Sequence, residues 1–322
     1  MTAQNFTHRT DFPGGSLGSR LVSAMIRTLI RPIISLWARY PDVRWPYRAV
    51  DWLGRPLSSP RGLVRESVAL PECTGQLTIP RAFDPERFVL YLHGGGFVVG
   101  GLHLHRQMTG RFATDLRSRV FAVNYRKLPG HAVSLAVSDC VDGYRQALAW
   151  GYSPDRITLM GDSAGGYLVL MTAVEIRRQG LPMPAAIVSM APLTDWDFTA
   201  KLAAPTAATC DIFRATAMPS FERMARAAAA GIAPESPAHV DLTGLPPTLI
   251  QASSSEFLYP DAVLMADRLL EHGVPCRLQI WANQVHVFQA AAAIAPEAAA
   301  AVSEIRRFID ETLATPAESR SA

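Results

Sequence analysis

The chain has 322 residues, 49% of them hydrophobic and 18% charged, a balance that excludes global disorder and allows one large buried core. A net charge of +3 is too small to mark a nucleic-acid binder, and Gly and Pro are scattered, without a repeat period. Cys73, Cys140, Cys210 and Cys276 form no CxxC pair, so zinc and redox motifs have no support and reduced, mostly buried thiols in a cytoplasmic protein are expected.

The charge is unevenly spread. Residues 1–61 hold Arg9, Arg20, Arg27, Arg31, Arg39, Arg44, Arg48, Arg55 and Arg61 against only Asp11, Asp42 and Asp51. Residues 1–20 contain Asp11 and no continuous apolar run, unlike a secretory signal. No 18 consecutive apolar residues occur anywhere, so a spanning helix is not expected. His8 is read as part of a tail. Residues 17–39 predict one or two amphipathic helices. Leu17, Leu21, Val22, Met25, Ile26, Leu29, Ile33 and Trp37 recur every three or four residues, and Pro32 is placed to kink the run. A basic helix lying on a lipid surface is one reading. A cap helix packed by its apolar face on the body is preferred, because most amphipathic helices in soluble chains are half-buried.

Residues 64–79 predict a strand pair, and Phe88–Leu92 a buried strand running into His93-Gly94-Gly95-Gly96. Val120–Val123 is the next strand, and residues 134–150 a helix. Ile157–Met160 is a strand leading into Gly161-Asp162-Ser163-Ala164-Gly165, followed by a helix to about Gln179. Further strands are expected at 185–190, 249–252 and 277–280, with a helix at 261–272 and a last one at 295–314. Alternating strands and helices, with several continuous apolar strands, predict an α/β fold with a mostly parallel sheet covered on both faces. The strandless stretch from 196 to about 235 reads as an inserted helical cap. The domain reading is therefore 1–60 for N-terminal cap helices, 61–195 with 236–315 for the catalytic body, 196–235 for the insertion and 316–322 for a loose tail.

Strand, G-x-S-x-G turn and helix together present the Ser163 hydroxyl at a sharp turn on the sheet's carboxyl edge. The Gly loop at 93–96 lacks the Lys-Ser/Thr of a phosphate loop. Its backbone N–H groups, with that of Ala164, suit an oxyanion instead. A serine nucleophile needs a base, and the chain order nucleophile, acid, histidine selects His286 from eight histidines. The acid belongs after the strand at 249–252, where Glu256 and Asp261 are both available. Asp261 equally suits the first turn of the next helix.

From about residue 88 to 290 these motifs resemble the hormone-sensitive-lipase-like branch of the α/β-hydrolase esterases. The match comprises His93-Gly94-Gly95-Gly96-Phe97, Gly100, His105-Arg106, Tyr125-Arg126, Gly161-Asp162-Ser163-Ala164-Gly165-Gly166, Leu245-Pro246-Pro247-Thr248 and His286. Within the branch the chain looks most like carboxylesterases that include monoterpene ε-lactone hydrolases. The resemblance implies an α/β-hydrolase fold with a helical cap, no metal or organic cofactor, and oxyanion donors at Gly95, Gly96 and Ala164. Its acid lies about thirty residues before the histidine, which assigns Glu256, a Glu where the family usually has Asp. Leu128-Pro129-Gly130 replaces the family's usual Ala-Pro-Glu. The implied cap would let Phe97 and Val98, with Phe213 and Met218, line the pocket.

The expected function is hydrolysis of short- to medium-chain acyl esters through an acyl-enzyme. A lactonase or lipid-surface lipase is the alternative within the same chemistry, with peripheral membrane contact through the basic helix. A non-catalytic ligand-binding homologue is the alternative of another class. A homodimer is left open.

Overall fold

A computed structural model describes residues 8–56 and 59–315; the segment expected to be a loose tail, 316–322, lies outside the described residues. Nine strands form one sheet: β1 (His8–Phe12), β2 (Val64–Ala69), β3 (Thr74–Ile79), β4 (Phe88–Leu92), β5 (Arg119–Asn124), β6 (Ile157–Asp162), β7 (Ala186–Met190), β8 (Thr248–Ser253) and β9 (Cys276–Trp281). Their order is β1-β9-β8-β7-β6-β4-β5-β3-β2. β2 and β3 are antiparallel and all other pairs except β3–β5 are parallel.

The central strands explain their own placement. Every residue of β4, β6, β7 and β8 is buried, as strands covered on both faces must be, and their apolar runs supply the surface. Helices Val133–Ala149, Ala164–Arg178 and Tyr259–Glu271 contribute to the core on one face. Helices Arg106–Asp115 and Pro296–Ala314 contribute to the other. The helix Arg106–Asp115 was not expected. Only Met108, Phe112 and Ala113 are buried apolar residues on it, too few to make a visible period. The expected tail at His8 is instead a parallel edge strand, whose Phe12 ring stacks on Trp281 at 4.1 Å.

The N-terminal helix departs from expectation in a more consequential way. It runs from Leu17 to Arg39, with a wide π-type turn at Ile26–Ile30 just ahead of Pro32. Its inner side does pack on the body, through Val22, Ile26, Ile34, Trp37 and Ala38. A second apolar row faces outward: Leu17 is 78% exposed, Leu21 67%, Leu29 59% and Ile33 58%. The preferred reading, with the apolar residues spent on packing, therefore holds for only one side of the helix.

The insertion is helical, with Thr199–Ala203, Thr206–Thr209 and Met218–Ala227 and no strand among its described residues. Ser220 Oγ donates to the Ala38 carbonyl at 3.0 Å, and Arg27 pairs with Asp211. These contacts tie insertion and N-terminal helix into one cover.

Candidate active site

β6 ends at Asp162 and the following helix begins at Ala164, which leaves Ser163 alone to make the turn. It does so at φ 54° and ψ −116°, a strained conformation for a side chain with a Cβ, of the kind found where function over-determines the backbone. Close packing makes the turn possible. A Cβ on Gly165 would stand 1.9 Å from the Leu92 carbonyl oxygen, so only glycine lets the new helix lie against β4.

His286 follows β9 and reaches back to this turn. Its Nε2 lies 2.8 Å from Ser163 Oγ, and its Nδ1 is hydrogen-bonded to Glu256 Oε2. The other oxygen of Glu256 accepts the Ser253 N–H at 2.6 Å, which fixes the carboxylate. Ser253 Oγ donates to the Gln284 carbonyl at 2.6 Å and Ser255 Oγ to the same oxygen at 3.1 Å. The acid loop and the histidine loop are thus stitched together. Ser163, His286 and Glu256 are 8%, 7% and 1% exposed. Burial keeps water from competing for these hydrogen bonds.

Asp261 is placed elsewhere. It sits in the first turn of Tyr259–Glu271, where Oδ2 accepts the N–H groups of Thr194 at 2.7 Å and Asp195 at 3.1 Å. Its Oδ1 pairs with Lys201 Nζ at 2.8 Å, both side chains buried. Burial pushes this carboxyl above its usual range, against the pull of Lys201 and the two N–H donors. Lys201 also donates to the carbonyls of Asp195 and Asp197, so the pair pins the insertion to the body. Lys201→Met is expected to destabilise the fold by about 3–5 kcal/mol, since removing one partner strands a buried charge. Urea unfolding checks this, and Lys201→Met with Asp261→Leu should recover most of the loss.

The Gly loop lies beside Ser163. Gly95 has φ 111°, and a Cβ there would meet the Val99 carbonyl oxygen at 2.3 Å. That carbonyl belongs to a tight turn in which Val98 and Val99 both donate to Gly95 O. The loop is held from below by Asp162, whose Oδ1 accepts the Gly94 N–H at 3.0 Å and the Tyr91 hydroxyl. His105 Nε2 is 3.7 Å from the other Asp162 oxygen. Burial alone would lower the His105 pKa and raise that of Asp162, but their mutual attraction wins. His105 is raised and Asp162 lowered, the latter helped by Tyr91 and Gly94. His93 has the opposite fate. It is fully buried, stacks on Tyr125 at 4.3 Å, and burial drives its pKa well down, so it is a neutral part of the loop's framework.

Phe97 and Val98 are buried, at 1% and 9% exposure. Phe97 joins Trp196 and Phe221 of the insertion in a stacked aromatic wall, with centroids 5.2–6.5 Å apart. Phe221 also lies 3.7 Å from where a Gly96 Cβ would be, so the wall borders the Gly loop. Phe213 stands edge-on to the His286 ring at 5.2 Å. Met218 is buried at the start of its helix. The sequence reading missed Trp196 and Phe221, because an aromatic residue in an Ala-rich insertion carries no signal of what it faces. At the departure from Ala-Pro-Glu, Leu128 is buried and donates its N–H to the Phe97 carbonyl at 2.8 Å, while Pro129 and Gly130 are exposed. The first residue supports the Gly loop and the other two form a surface turn.

Among the described residues no group of three or more His, Cys, Asp or Glu could hold a metal ion. A cavity of about 380 Å³ lined by Phe12, Trp281, Glu297 and Glu304 lies at the β1 edge and shares no residue with the Ser163 site.

Known proteins share this fold. A family profile described as the alpha/beta hydrolase fold matches residues 89–290. Esterase LipU of Mycobacterium tuberculosis is 37% identical over 293 residues, 88% of this chain and 98% of that protein. Carboxylesterase/phospholipase LipF of the same organism is 35% identical over 313 residues, 94% of this chain and 83% of that protein. Among solved structures, an esterase from the bacterial hormone-sensitive lipase family superposes with a TM-score of 0.82 at 29% identity, covering 93% of this chain and 99% of the other. EstE5 soaked with p-nitrophenyl butyrate gives 0.83 at 28%, covering 94% and 100%. With the profile spanning most of the sheet and the relatives nearly the whole chain, this protein belongs to the α/β-hydrolase family, in its hormone-sensitive-lipase-like branch of bacterial carboxylesterases.

Proposed function

We propose that the chain is a serine carboxylesterase that hydrolyses short- to medium-chain acyl esters in two acyl-transfer steps. The observation that carries this is the unbroken hydrogen-bonded run from Ser163 through His286 to Glu256 at a strained strand-to-helix turn. In the proposed mechanism Ser163 Oγ attacks the ester carbonyl while His286 Nε2 takes its proton. Glu256 holds the ring with Nδ1 protonated and stabilises the imidazolium. The N–H groups of Gly95, Gly96 and Ala164 receive the oxyanion, and Ala164 heads a helix whose dipole favours negative charge there. His286 returns the proton to the departing alcohol, and water then attacks the acyl-enzyme by the same route. No metal or organic cofactor enters this scheme.

The helices from Leu17 to Trp52 and the insertion 196–235 act as the cap in this reading, while His8–Phe12 belongs to the sheet. The aromatic wall of Phe97, Trp196 and Phe221, with Phe213 over the base, bounds the acyl site and supports a preference for shorter chains. A p-nitrophenyl ester series from acetate to palmitate tests this: kcat/KM should peak at butyrate or hexanoate. A rise through to palmitate would sink the chain-length proposal. A serine-directed phosphonate should label Ser163. No turnover of any ester together with an unlabelled Ser163 would favour the non-catalytic binding role. Lactone hydrolysis, read by pH-stat on ε-caprolactone, needs the same residues and is tested beside the esters.

The unbridged thiols, three of them buried, fit a reducing compartment and support a cytoplasmic site. A second reading, action at a lipid surface, is favoured by the outward apolar row of the N-terminal helix.

A further inference from the structure

The helix Leu17–Arg39 has two apolar sides, and only one has a structural task. Its inner side is fixed at several points. Ser19 Oγ lies within hydrogen-bond reach of Gln284 Oε1 at 2.8 Å and of Glu297 Oε2 at 2.9 Å, Val22 enters the core, Arg27 pairs with Asp211, and the Ala38 carbonyl accepts Ser220. The helix therefore has no freedom to roll its outer side inward. That outer side carries Leu17, Leu21, Met25, Leu29, Ile33 and Leu36, each at least half exposed.

The spacing of this row is four, four, four, four and three residues. In a regular α-helix each step of four rotates a row by about 40°. The wide turn at Ile26–Ile30, where Arg31 N–H reaches back to the Ile26 carbonyl, takes up a residue and limits that rotation. Such turns are uncommon and concentrate at functional positions. An aligned apolar row of this length exposed to water is unfavourable for the isolated protein and needs a partner.

Charge selects the partner. From residue 17 to 39 there are four Arg (Arg20, Arg27, Arg31, Arg39) and no Asp or Glu, and of the four Arg27 is already paired with Asp211. The next segment adds exposed Tyr40, Val43, Trp52 and Leu53 among Arg44, Arg48 and Arg55, against Asp42 and an Asp51 that accepts the His103 and Leu104 N–H groups, and the Arg55 guanidinium lies over the Trp52 ring at 4.8 Å. Apolar side chains, aromatic rings and arginines on one exposed segment match the layered chemistry of a membrane interface.

We propose that residues 17–53 form a docking surface for an anionic phospholipid bilayer, on which the Leu17–Arg39 helix lies in the plane of the headgroups. This deepens the second reading above and rests on it. The helix is long and apolar enough to cross a bilayer, but its inner-side contacts and its interspersed arginines hold it along the surface of the body.

The test is co-sedimentation of the full chain with vesicles of phosphatidylcholine alone and of an equimolar mixture with phosphatidylglycerol. The wild type should bind the mixed vesicles at least tenfold more tightly. Leu21→Glu/Leu29→Glu and Arg20→Glu/Arg39→Glu should each weaken that binding at least tenfold. All four side chains are exposed, and thermal unfolding of each variant verifies that the fold is intact. An alkaline carbonate wash should release the bound protein. No wild-type binding, undiminished binding by the variants or retention through the wash would each overturn the proposal. So would gel filtration showing a dimer that Leu21→Glu/Leu29→Glu dissolves, since the occupant would then be a second copy of this chain. Hydrolysis of soluble p-nitrophenyl butyrate without vesicles is measured separately. Its absence would remove the catalytic reading without touching the sedimentation result.

Discussion

Glu256→Gln is expected to lower kcat by roughly 10³–10⁴-fold, comparable to losing the charge of the orienting acid in serine proteases. Gln keeps the length of Glu but presents either an amide N–H₂ or a neutral oxygen to His286 Nδ1. The first forces the wrong tautomer, and the second leaves the imidazolium without a counter-charge in a site that excludes water. Asp261→Asn should leave kcat within about tenfold while lowering stability, because its carboxylate faces Lys201 and the Thr194 and Asp195 N–H groups rather than the histidine. Steady-state kinetics with urea unfolding separates the two effects. An inactive Asp261→Asn beside an active Glu256→Gln would move the acid role to Asp261. Ser163→Ala and His286→Ala should each cost on the order of 10⁶ in kcat, and the double variant little more, because the residues act as a unit.

The relation between those two carboxylates shows how far the sequence could be read. The chain order nucleophile, acid, histidine left Glu256 and Asp261 open, and only the spacing of a resembling family chose between them. What separates them in space is Lys201, sixty positions upstream of Asp261 in an insertion without recognisable pattern. Local periodicity holds no information about such a partner. Ser163, the Gly loop and His286 were legible because each sits at the end of a buried apolar strand, where the pattern changes from strand to turn within a few residues. The parallel core strands were legible for the same reason. β1 was not: it is short and mostly polar, and it is held by its pairing with β9 and by the single Phe12 ring on Trp281. The N-terminal helix was legible as a helix, but three- and four-residue spacing does not distinguish a row that packs inward from one that faces water, and here both are present.

The pairing of Asp162 with His105 under the Gly loop is the other place where a large effect is expected. Asp162 is fully buried, accepts from the Gly94 N–H and the Tyr91 hydroxyl, and faces the His105 ring at 3.7 Å. Asp162→Asn removes the charge that raises the His105 pKa, leaves a neutral oxygen for Gly94 and Tyr91, and turns the oxygen that faces His105 into an N–H₂ donor. The loop that carries the Gly95 and Gly96 N–H groups is then held by a neutral acceptor in place of a charged one. Because those donors act on the oxyanion rather than on the bound ester, kcat should fall by about 10²–10³-fold, the cost of one misplaced oxyanion donor, with KM changing much less. A merely structural role for Asp162 would lower the amount of folded enzyme and leave the kcat of the folded fraction alone. The pair also predicts a pH profile for stability. The raised pKa of His105 makes its contribution complete below the ordinary histidine value of about 6.5 and lost as pH rises through the folded-state value. The lowered pKa of Asp162 makes its contribution complete above the ordinary value of about 3.9 and lost as pH falls through the folded-state value. Between those limits both groups contribute in full. Unfolding free energies measured across pH should therefore fall more steeply on the alkaline side in the wild type than in Asp162→Asn, where Asp51 alone is left to attract the His105 ring. Parallel profiles in the two proteins would show that His105 and Asp162 are not coupled, and the anchoring role would fall with them.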